Sequence, residues 1–396
     1  MSKATIPIGP QHPALHEPEN FMIEVDGERI VKVTPRIGYV HRGIEKLSES
    51  RTWLQVVYLA ERVCGICSHS HTSAYVTGVE ELYGLEVPER GLYIRALVAE
   101  LERIHSHLLW IGTMGHEAGW LTSMMYVWRD REVVMDILED ISGNRVNYAM
   151  NTIGGVRRDI TPEMKEKILK GMDYLEKRIE KYEDFFMNEK TFLARLINVG
   201  TLPTGIAAKL NSCGPVARGC GVDFDVRRDN PYGIYPDLDF KVWVSKFCDL
   251  RGRVWVRIKE VGESIYLVKQ ILDKMPGGDI KVKRVKPKAP EGRVISVVEA
   301  PRGELVHTII SDGGRGPYRH KIRAPTYANL PSIAYSLQGG HIADIPVVIA
   351  GIDPCFSCCD RMTIIDRNKN KTWHTTLAEL RHINIKRVKN GTYANE

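Results

Sequence analysis

Two Cys-x-x-Cys pairs stand near opposite ends of this 396-residue chain, and they constrain its fold more than any other feature. Cys64 and Cys67 form the first pair, and Cys355 and Cys358 form the second. Within each pair, the three-residue spacing lets a turn or a helix start direct both sulfurs at one metal ion. The two pairs together supply four thiolates, which is a complete set of soft metal ligands.

The spacing alone leaves several kinds of site open. A structural zinc site usually has pairs about 15–20 residues apart, so a compact zinc ribbon is excluded, whereas a zinc site that joins distant segments is not. An iron–sulfur cluster or another soft metal also accepts four thiolates. A redox disulfide is disfavoured because neither pair lies in a βαβ pattern. We interpret the other cysteines as small buried hydrophobes: Cys213, Cys220, Cys248 and Cys359.

Apolar residues recur at three- and four-residue spacing over long stretches, which predicts helices at 53–63, 92–111, 164–186, 242–275 and 330–337. Alternating apolar residues around Asp26-Gly27 predict a hairpin over 21–33. Further strands are predicted at 293–299, 305–310 and 345–349. The expected fold class is mainly α (α+β), with a large helical-bundle core and small β-sheets near the N- and C-terminal parts.

Charge and hydropathy exclude several classes of protein. The net charge of +6 is spread along the chain without a basic block interleaved with aromatics, so we expect no nucleic-acid partner. The most apolar stretch, 106–128, contains His107, His116 and Glu117, which favours a buried helix pair over a membrane span. No secretory signal is apparent at the start of the sequence, so we expect a reducing, cytoplasmic compartment in which disulfides are rare.

The residues around the cysteine pairs narrow these choices. The motifs Arg62-x-Cys64-Gly-Ile-Cys67-x-x-x-His71 and Asp353-Pro-Cys355-x-x-Cys358-x-x-Arg361 resemble the two signatures of nickel–iron hydrogenase large subunits. The chain resembles most the energy-converting, membrane-bound branch, which is related to the quinone-site subunit of respiratory complex I. Supporting motifs run along nearly the whole chain: Gly9-Pro-Gln-His-Pro13, His41-Arg-Gly-Ile-Glu-Lys-Leu47, Glu102-Arg-Ile-His-Ser-His107, Gly154-Gly-Val-Arg-Arg158 and Ala300-Pro-Arg-Gly303.

This resemblance implies a nickel ion held by all four thiolates and an iron ion that shares two of them. By the order of the motifs, Cys64 and Cys355 would bind nickel alone. Cys67 and Cys358 would bridge to the iron, which in this family carries carbon monoxide and cyanide. Glu45 matches a carboxylate that binds a magnesium-like ion in other members. Those members usually have a histidine where this chain has Arg361, a departure that weakens the case for magnesium.

The resemblance also implies roles for four residues near the metals. Glu17 lies where this branch has its proton-transfer glutamate, near Cys355. Arg302 matches an arginine that lies over the metals in related enzymes, and its fixed charge suits an ion pair with Asp353. His71 would donate a hydrogen bond toward a bridging sulfur. Other histidines could form a proton relay: His12, His105, His107 and His116.

Without the resemblance, the same residues have plainer interpretations. Glu17 would be an ordinary loop carboxylate, and Arg302 would be a salt-bridged arginine after a strand. Asp353 would cap the turn that starts at Pro354.

We expect one catalytic domain over residues 1–361, followed by a C-terminal extension at 362–396. The domain would comprise a β-hairpin region at about 4–35, a helical core at about 44–275 and a β-containing part at about 290–361. Related precursors are cut just after the final signature residue. We therefore expect a maturation protease to cleave between Arg361 and Met362, the alternative being a retained tail with a short helix at 375–383.

The function that the resemblance implies is that of the catalytic large subunit of an energy-converting hydrogenase, which interconverts H2 with protons and electrons. No further cysteine set exists for a chain of clusters, so we expect a small iron–sulfur subunit, with ferredoxin as the electron partner. Coupling to ion transport would need integral membrane subunits. The chain would then be a peripheral subunit at the cytoplasmic face of the membrane.

Two other classes of protein stay open. One is a relative that reduces quinone or polysulfide on the same scaffold without a nickel–iron centre. Such relatives have lost one or more of the four cysteines, and all four are present here. The other is an interaction protein stabilised by zinc.

Overall fold

The computed structural model describes residues 3–13, 15–359, 365–366, 371–372, 379, 382–383, 385–386 and 389. The chain divides into two compact units, Met1–Asp360 and Arg361–Glu396. The expected cleavage point between Arg361 and Met362 lies outside the described residues, as does most of the expected tail helix at 375–383.

Helices make up most of the first unit. In chain order they are α1 Ile44–Ser48, α2 Trp53–Glu61, α3 Ser68–Tyr83, α4 Glu89–Glu117, α5 Leu121–Ser142, α6 Pro162–Asn188, α7 Lys190–Ala194, α8 Thr204–Lys209, α9 Gly214–Arg218, α10 Val226–Asp229, α11 Leu250–Lys274, α12 Pro325–Leu337 and α13 Ile345–Ala350. Three short 3-10 turns add to them: Tyr235–Asp237, Ile342–Asp344 and Phe356–Cys358.

The strands form small antiparallel sheets. They are β1 Lys3–Ile8, β2 Asn20–Asp26, β3 Arg29–Arg36, β4 Asn151–Thr152, β5 Gly155–Val156, β6 Glu291–Ala300, β7 Gly303–Asp312, β8 Arg319–Arg323, β9 Ile365–Asp366 and β10 Lys371–Thr372. The sheet orders are β1-β2-β3, β4-β5 and β6-β7-β8 in the first unit and β9-β10 in the second. The predicted α+β class with a helical core is therefore confirmed.

The core is built around α4, a 29-residue helix with most of its residues buried. Helices α5 and α11 pack along it, and α6 packs against both of them. The start of α6 is determined by local sequence. Thr161 caps the helix by accepting a hydrogen bond from the backbone N–H of Met164, and Pro162 lies in the first turn. The predicted helices at 53–63, 92–111 and 164–186 are confirmed.

Two predictions about elements in the second half were wrong. The predicted helix at 242–275 begins only at Leu250, because Cys248 has a positive φ of 58° and Asp249 caps the helix through Gly252. The predicted strand at 345–349 is the helix α13. Its run of Ile and Val is typical of a strand, but Pro346 fits the first turn of a helix, and burial against α4 decides between the two.

The predicted hairpin consists of β2 and β3, with Gly27 at a φ of 62° in the turn, and β1 adds a third strand on the other side of β2. The second three-stranded sheet packs β6 and β7 against α3. This contact brings the turn between β6 and β7 beside the start of α3. The first three-stranded sheet packs β3 against α12, whose C-terminal end leads toward α13.

The apolar stretch at 106–128 is a helix pair, as predicted, because α4 ends at Glu117 and α5 begins at Leu121. The α4 part of the stretch is mostly buried, whereas Leu121, Met125 and Tyr126 on α5 are exposed, so the predicted burial holds only for the first helix. Among the described residues, no helix combines the length and the apolar character needed to cross a membrane.

Candidate metal centre

The four cysteines of the two pairs lie in two loops that the fold brings together. Cys64 lies in the turn after α2, and Cys67 immediately precedes α3. Cys355 immediately precedes the 3-10 turn Phe356–Cys358 that follows α13, and Cys358 ends that turn. The Trp110 indole on α4 donates to the Ala350 carbonyl at 2.7 Å, which fixes the end of α13 a few residues before Cys355.

The sulfurs of these four residues converge. The Sγ atoms of Cys64 and Cys355 are 3.2 Å apart, and the backbone N–H of Cys67 donates to Cys64 Sγ at 3.3 Å. Hydrogen bonds from Cys355, Cys358 and Cys67 hold the pKa of Cys64 well below its usual value. The bond to Cys64 raises the pKa of Cys67 well above its usual value. Contact among the thiols therefore makes Cys64 more acidic than Cys67.

Four cysteine side chains are a suitable donor set for a metal bound through thiolates. The distance between the sulfurs of Cys64 and Cys355, however, is shorter than in a metal site. Within the described part of the chain, no group of three or more His, Cys, Asp or Glu side chains surrounds an ion position. A tetrahedral ion with bonds of about 2.3 Å to sulfur separates its sulfurs by about 3.8 Å. Cys64 and Cys355 are closer than this, at 3.2 Å, because the thiols hydrogen-bond to one another. The sulfurs of Cys64 and Cys355 would have to separate slightly to bind such an ion.

Arg302 joins the two cysteine loops to the second three-stranded sheet. It lies in the turn between β6 and β7 and is 4% exposed. Its Nη1 donates to Cys67 Sγ at 3.1 Å and to Ser106 Oγ at 3.2 Å. Its Nη2 and Nε bond to the side chain and the carbonyl of Asp353, at 2.6 and 2.9 Å. The ion pair predicted between Arg302 and Asp353 is present, and Asp353 has a positive φ of 59°.

A second buried arginine adds positive charge near Arg302. Arg257 on α11 is fully buried, stacks on the Trp110 ring at 3.9 Å, and has its Nη2 4.0 Å from Asp353 Oδ2. Two guanidinium groups, those of Arg257 and Arg302, thus share the Asp353 carboxylate. Burial lowers the pKa of Arg257 to about 10, which leaves it charged at neutral pH. These two cations favour thiolates at the nearby cysteines.

Glu17 lies beside the second cysteine loop. Its Oε1 is 3.7 Å from Cys355 Sγ, and its Oε2 accepts the backbone N–H of Ser357 at 2.8 Å. The Ser357 hydroxyl lies 3.2 Å from Cys355 Sγ and 3.2 Å from Glu17 Oε1, so it bridges the two groups. Burial raises the pKa of Glu17 above its usual value. Ser357 was not predicted, although it lies inside the second motif.

His71 lies in the first turn of α3 and begins a chain of buried histidines. Its Nδ1 is 3.1 Å from His307 Nε2, and His307 Nδ1 is 3.0 Å from His320 Nε2. The chain ends at Ser48 Oγ, 3.2 Å from His320 Nδ1. Burial lowers the pKa of His71 to about 4 and that of His320 to about 3, so the rings are neutral. This chain fixes the orientation of the His71 ring.

Two other sets of predicted residues have partners of their own. Glu45 on α1 accepts the Ile322 N–H at 2.9 Å and pairs with Arg319 at 3.4 Å, so the cation beside it is an arginine. The four histidines considered for a relay do not form one chain. His105 bonds to Tyr148 and to the backbone of Ile66, between the first two cysteines, whereas His107 bonds to Glu260, and His12 and His116 are exposed.

Glu102 was quoted in a motif without a role, and the structure places it at the start of α3. Its carboxylate accepts the backbone N–H groups of His69 and Ser70, at 2.7 and 3.0 Å. These donors are otherwise unpaired in the first turn of a helix. Glu102 on α4 therefore caps α3 from outside and holds the turn that contains Cys67.

Two family models match this chain. The model described as nickel-dependent hydrogenase matches residues 42–186. The model described as respiratory-chain NADH dehydrogenase, 49 Kd subunit, matches residues 117–289 and 281–361. The two matches overlap on the central helices and together cover both cysteine pairs.

Individual relatives agree with these matches over most of the chain. The membrane-bound hydrogenase subunit alpha of Pyrococcus furiosus is 47% identical, over 92% of this chain and 89% of that protein. Formate hydrogenlyase subunit 5 of Escherichia coli is 37% identical, over 96% of this chain and 67% of that protein. A chain of the membrane-bound sulfane sulfur reductase, an archaeal respiratory membrane complex, has a TM-score of 0.87 at 33% identity, over 91% of this chain and 98% of that one. The chain therefore belongs to the family that unites the large subunits of membrane-bound, nickel-dependent hydrogenases with the 49 Kd subunit of respiratory-chain NADH dehydrogenase.

Proposed function

We propose that this chain is the catalytic large subunit of a membrane-bound [NiFe] hydrogenase that interconverts H2 with protons and electrons. The observation that carries the proposal is the convergence of four buried cysteines, with Cys64 and Cys355 in contact at 3.2 Å. The family also contains subunits named for other reactions, so membership alone does not decide the activity. An intact set of four cysteines favours the hydrogenase.

Under this proposal, Cys64, Cys67, Cys355 and Cys358 would hold the nickel and the iron. A bound nickel–iron centre supplies the cleavage and formation of the H–H bond. Arg302 stabilises the thiolate form of Cys67, because its guanidinium donates to that sulfur at 3.1 Å. Asp353 holds Arg302 in this orientation through two hydrogen bonds.

Protons leave or reach the sulfur of Cys355 through Glu17. The direct Sγ–Oε1 distance of 3.7 Å is long, whereas the path through the Ser357 hydroxyl has two steps of 3.2 Å. The raised pKa of Glu17 brings its carboxyl closer to neutral pH, where an acid–base group exchanges protons in both directions. The bond from His71 to His307 would hold the first turn of α3, which directly follows Cys67, in place.

The partners follow from the same proposal. Electrons must leave a buried centre, so a small iron–sulfur subunit and a ferredoxin would carry them. Integral membrane subunits would couple the reaction to ion transport, with this chain at the cytoplasmic face. A magnesium-like ion at Glu45 would have to compete with Arg319 for the carboxylate.

Maturation would include cleavage between Arg361 and Met362 after nickel insertion. The intact mass of the mature chain tests this proposal. A mature, active chain that retains Lys369-Asn-Lys371 would contradict it.

A second candidate is reduction of sulfane sulfur or quinone without a nickel–iron centre. The likeness to a chain of the sulfane sulfur reductase, at a TM-score of 0.87, favours this alternative. It would leave the four cysteines without nickel. A zinc-stabilised interaction protein would instead hold zinc and have no redox activity.

The test is H2–D2O exchange by the purified complex, with Cys355→Ser and Cys359→Ser as a matched pair. Cys359 is equally buried and adjoins Cys358, but its Sγ is 3.5 Å from the Phe356 carbonyl. We expect exchange in the unmodified complex, none with Cys355→Ser and near-normal exchange with Cys359→Ser. No exchange by the unmodified complex, together with reduction of polysulfide or quinone, would favour the second candidate.

A further inference from the structure

One guanidinium group connects the two cysteine loops through their backbones. Arg42 lies just before α1, and its Nη1 donates to the Arg62 carbonyl at 2.7 Å. Its Nη2 donates to the Val63 carbonyl at 2.7 Å and to the Ser357 carbonyl at 2.9 Å. The first two carbonyls directly precede Cys64, and the third lies between the two cysteines of the second pair.

The geometry suits arginine in particular. A planar guanidinium presents several N–H donors in a fixed fork, so it can hold two peptide segments at a set separation. Hydrogen bonds from a charged donor are also stronger than those between neutral groups. A lysine would keep the charge, but its single ammonium group could not reproduce the fork.

The Ser357 peptide is held from its other side as well. Its backbone N–H and its hydroxyl both donate to Glu17, while its carbonyl accepts from Arg42. The second cysteine loop is thus fixed between an anion that belongs to the β1–β2 connection and a cation that also holds the first loop. Displacement of this peptide would change the separation of Cys64 and Cys355.

We propose that Arg42 is a positioning residue that sets the separation of the two cysteine loops and thereby determines whether the four sulfurs take up metal. It acts through backbone carbonyls of the loops. The choice of nickel as the metal rests on the proposed function. The separation of the loops is a property of the chain without metal, so it can be tested independently.

The variants are Arg42→Gln, which removes the fork and the charge, and Arg42→Lys, which removes the fork and keeps the charge. The matched control is Arg29→Gln. Arg29 is also exposed, and it also bonds to a distant backbone carbonyl, that of Gly339 at 3.5 Å, but it lies in the N-terminal sheet.

The first measurement is nickel per chain in the full complex, with the thermal midpoint as the measure of folding. We expect both Arg42 variants to contain clearly less nickel per chain than Arg29→Gln, because the removal of groups that orient ligands usually lowers metal affinity about 10- to 100-fold. The thermal midpoint should stay close to that of Arg29→Gln, which should keep its nickel. Normal nickel in Arg42→Gln and Arg42→Lys would overturn the proposal, and so would global unfolding of both, which would assign Arg42 a general structural role.

The second measurement uses the full chain produced without nickel and treated with diamide. Cys64 and Cys355 then lose two protons and two electrons and form a disulfide. Diamide takes up the two electrons and the two protons and is reduced to its hydrazine. A disulfide needs the sulfurs to approach from 3.2 Å to about 2.05 Å. We expect this bond, identified by peptide mapping, to form several times more slowly in both Arg42 variants than in Arg29→Gln. Equal rates of disulfide formation in the Arg42 variants and in Arg29→Gln would overturn the proposal about Arg42. Absence of nickel from the unmodified complex would refute only the proposed function, because the disulfide test does not depend on nickel.

Discussion

The Sγ atoms of Cys64 and Cys355 lie 3.2 Å apart, although 291 positions of sequence separate the two residues. The contact depends on three features of the fold: α3 starts immediately after Cys67, α13 packs on α4, and the turn between β6 and β7 brings in Arg302. A buried cluster of thiols beside fixed positive charge is suited to holding a metal as thiolates.

Replacement of Arg302 by lysine should lower H2–D2O exchange by about 100-fold or more, since loss of a preorganised donor costs about that much. Lysine keeps the charge but cannot donate to Cys67, Ser106 and Asp353 at once. The measurement is the exchange rate per bound nickel. Arg293→Lys, an exposed position in β6, is the control. An unchanged rate per nickel in Arg302→Lys would remove Arg302 from the proposed mechanism.

Loss of the Ser357 hydroxyl should slow proton movement between Cys355 and Glu17. We expect Ser357→Ala to reduce exchange by about 100-fold, the lower range for a positioned acid–base group. Ser357→Thr retains the hydroxyl and should keep most of the activity. The solvent isotope effect should rise in Ser357→Ala, because proton transfer becomes more nearly rate-limiting. Equal rates for the alanine and threonine variants would show that the direct 3.7 Å contact suffices.

Buried neutral histidines should make the fold sensitive to acid. Burial lowers the pKa of His320 from 6.5 to about 3. Between these pH values the unfolded chain binds a proton at this position and the folded chain does not. The free energy of unfolding should therefore fall by about 1.4 kcal/mol per pH unit below about pH 6.5 on account of this residue.

The variant His320→Gln should lose that share of the slope, measured by denaturant unfolding from pH 7 to pH 4. An identical slope in His320→Gln and the unmodified chain would mean that His320 is protonated in the folded state.

A side chain at position 214 should displace the backbone of Arg302. Gly214 has a φ of +64°, and a Cβ there would lie 2.4 Å from the Arg302 carbonyl. We expect Gly214→Ala to destabilise the fold by about 1–3 kcal/mol and to lower exchange with it. Gly205 in α8 is the matched control, because a Cβ there meets nothing within 4 Å. Gly205→Ala should leave activity unchanged and raise stability slightly.

Most of the long helices could be predicted from the sequence, because hydrophobic periodicity is a local signal. The two cysteine pairs could be recognised as candidate metal ligands, because their spacing is local as well. It fails where a local preference competes with packing. The start of α11 is delayed by the positive φ of Cys248, and the β-branched run at 345–349 becomes helical against α4. Both outcomes depend on neighbours that are distant in sequence.

Parts of the candidate site were beyond prediction for the same reason. His307 and His320 meet because β7 pairs with β8 and packs on α3, and no local pattern encodes that pairing. Arg42 was quoted in a motif, but its bonds to the Val63 and Ser357 carbonyls require the folded loops. Ser357 lies inside the second motif, but its contacts with Cys355 and Glu17 also require the folded loop.

The most direct test of the account is metal analysis of the purified complex, combined with infrared spectroscopy. A nickel–iron hydrogenase subunit should contain about one nickel per chain, bound through four thiolates, and should show the absorption bands of iron-bound carbon monoxide and cyanide. Zinc in place of nickel, or a chain without nickel and without these bands, would contradict it.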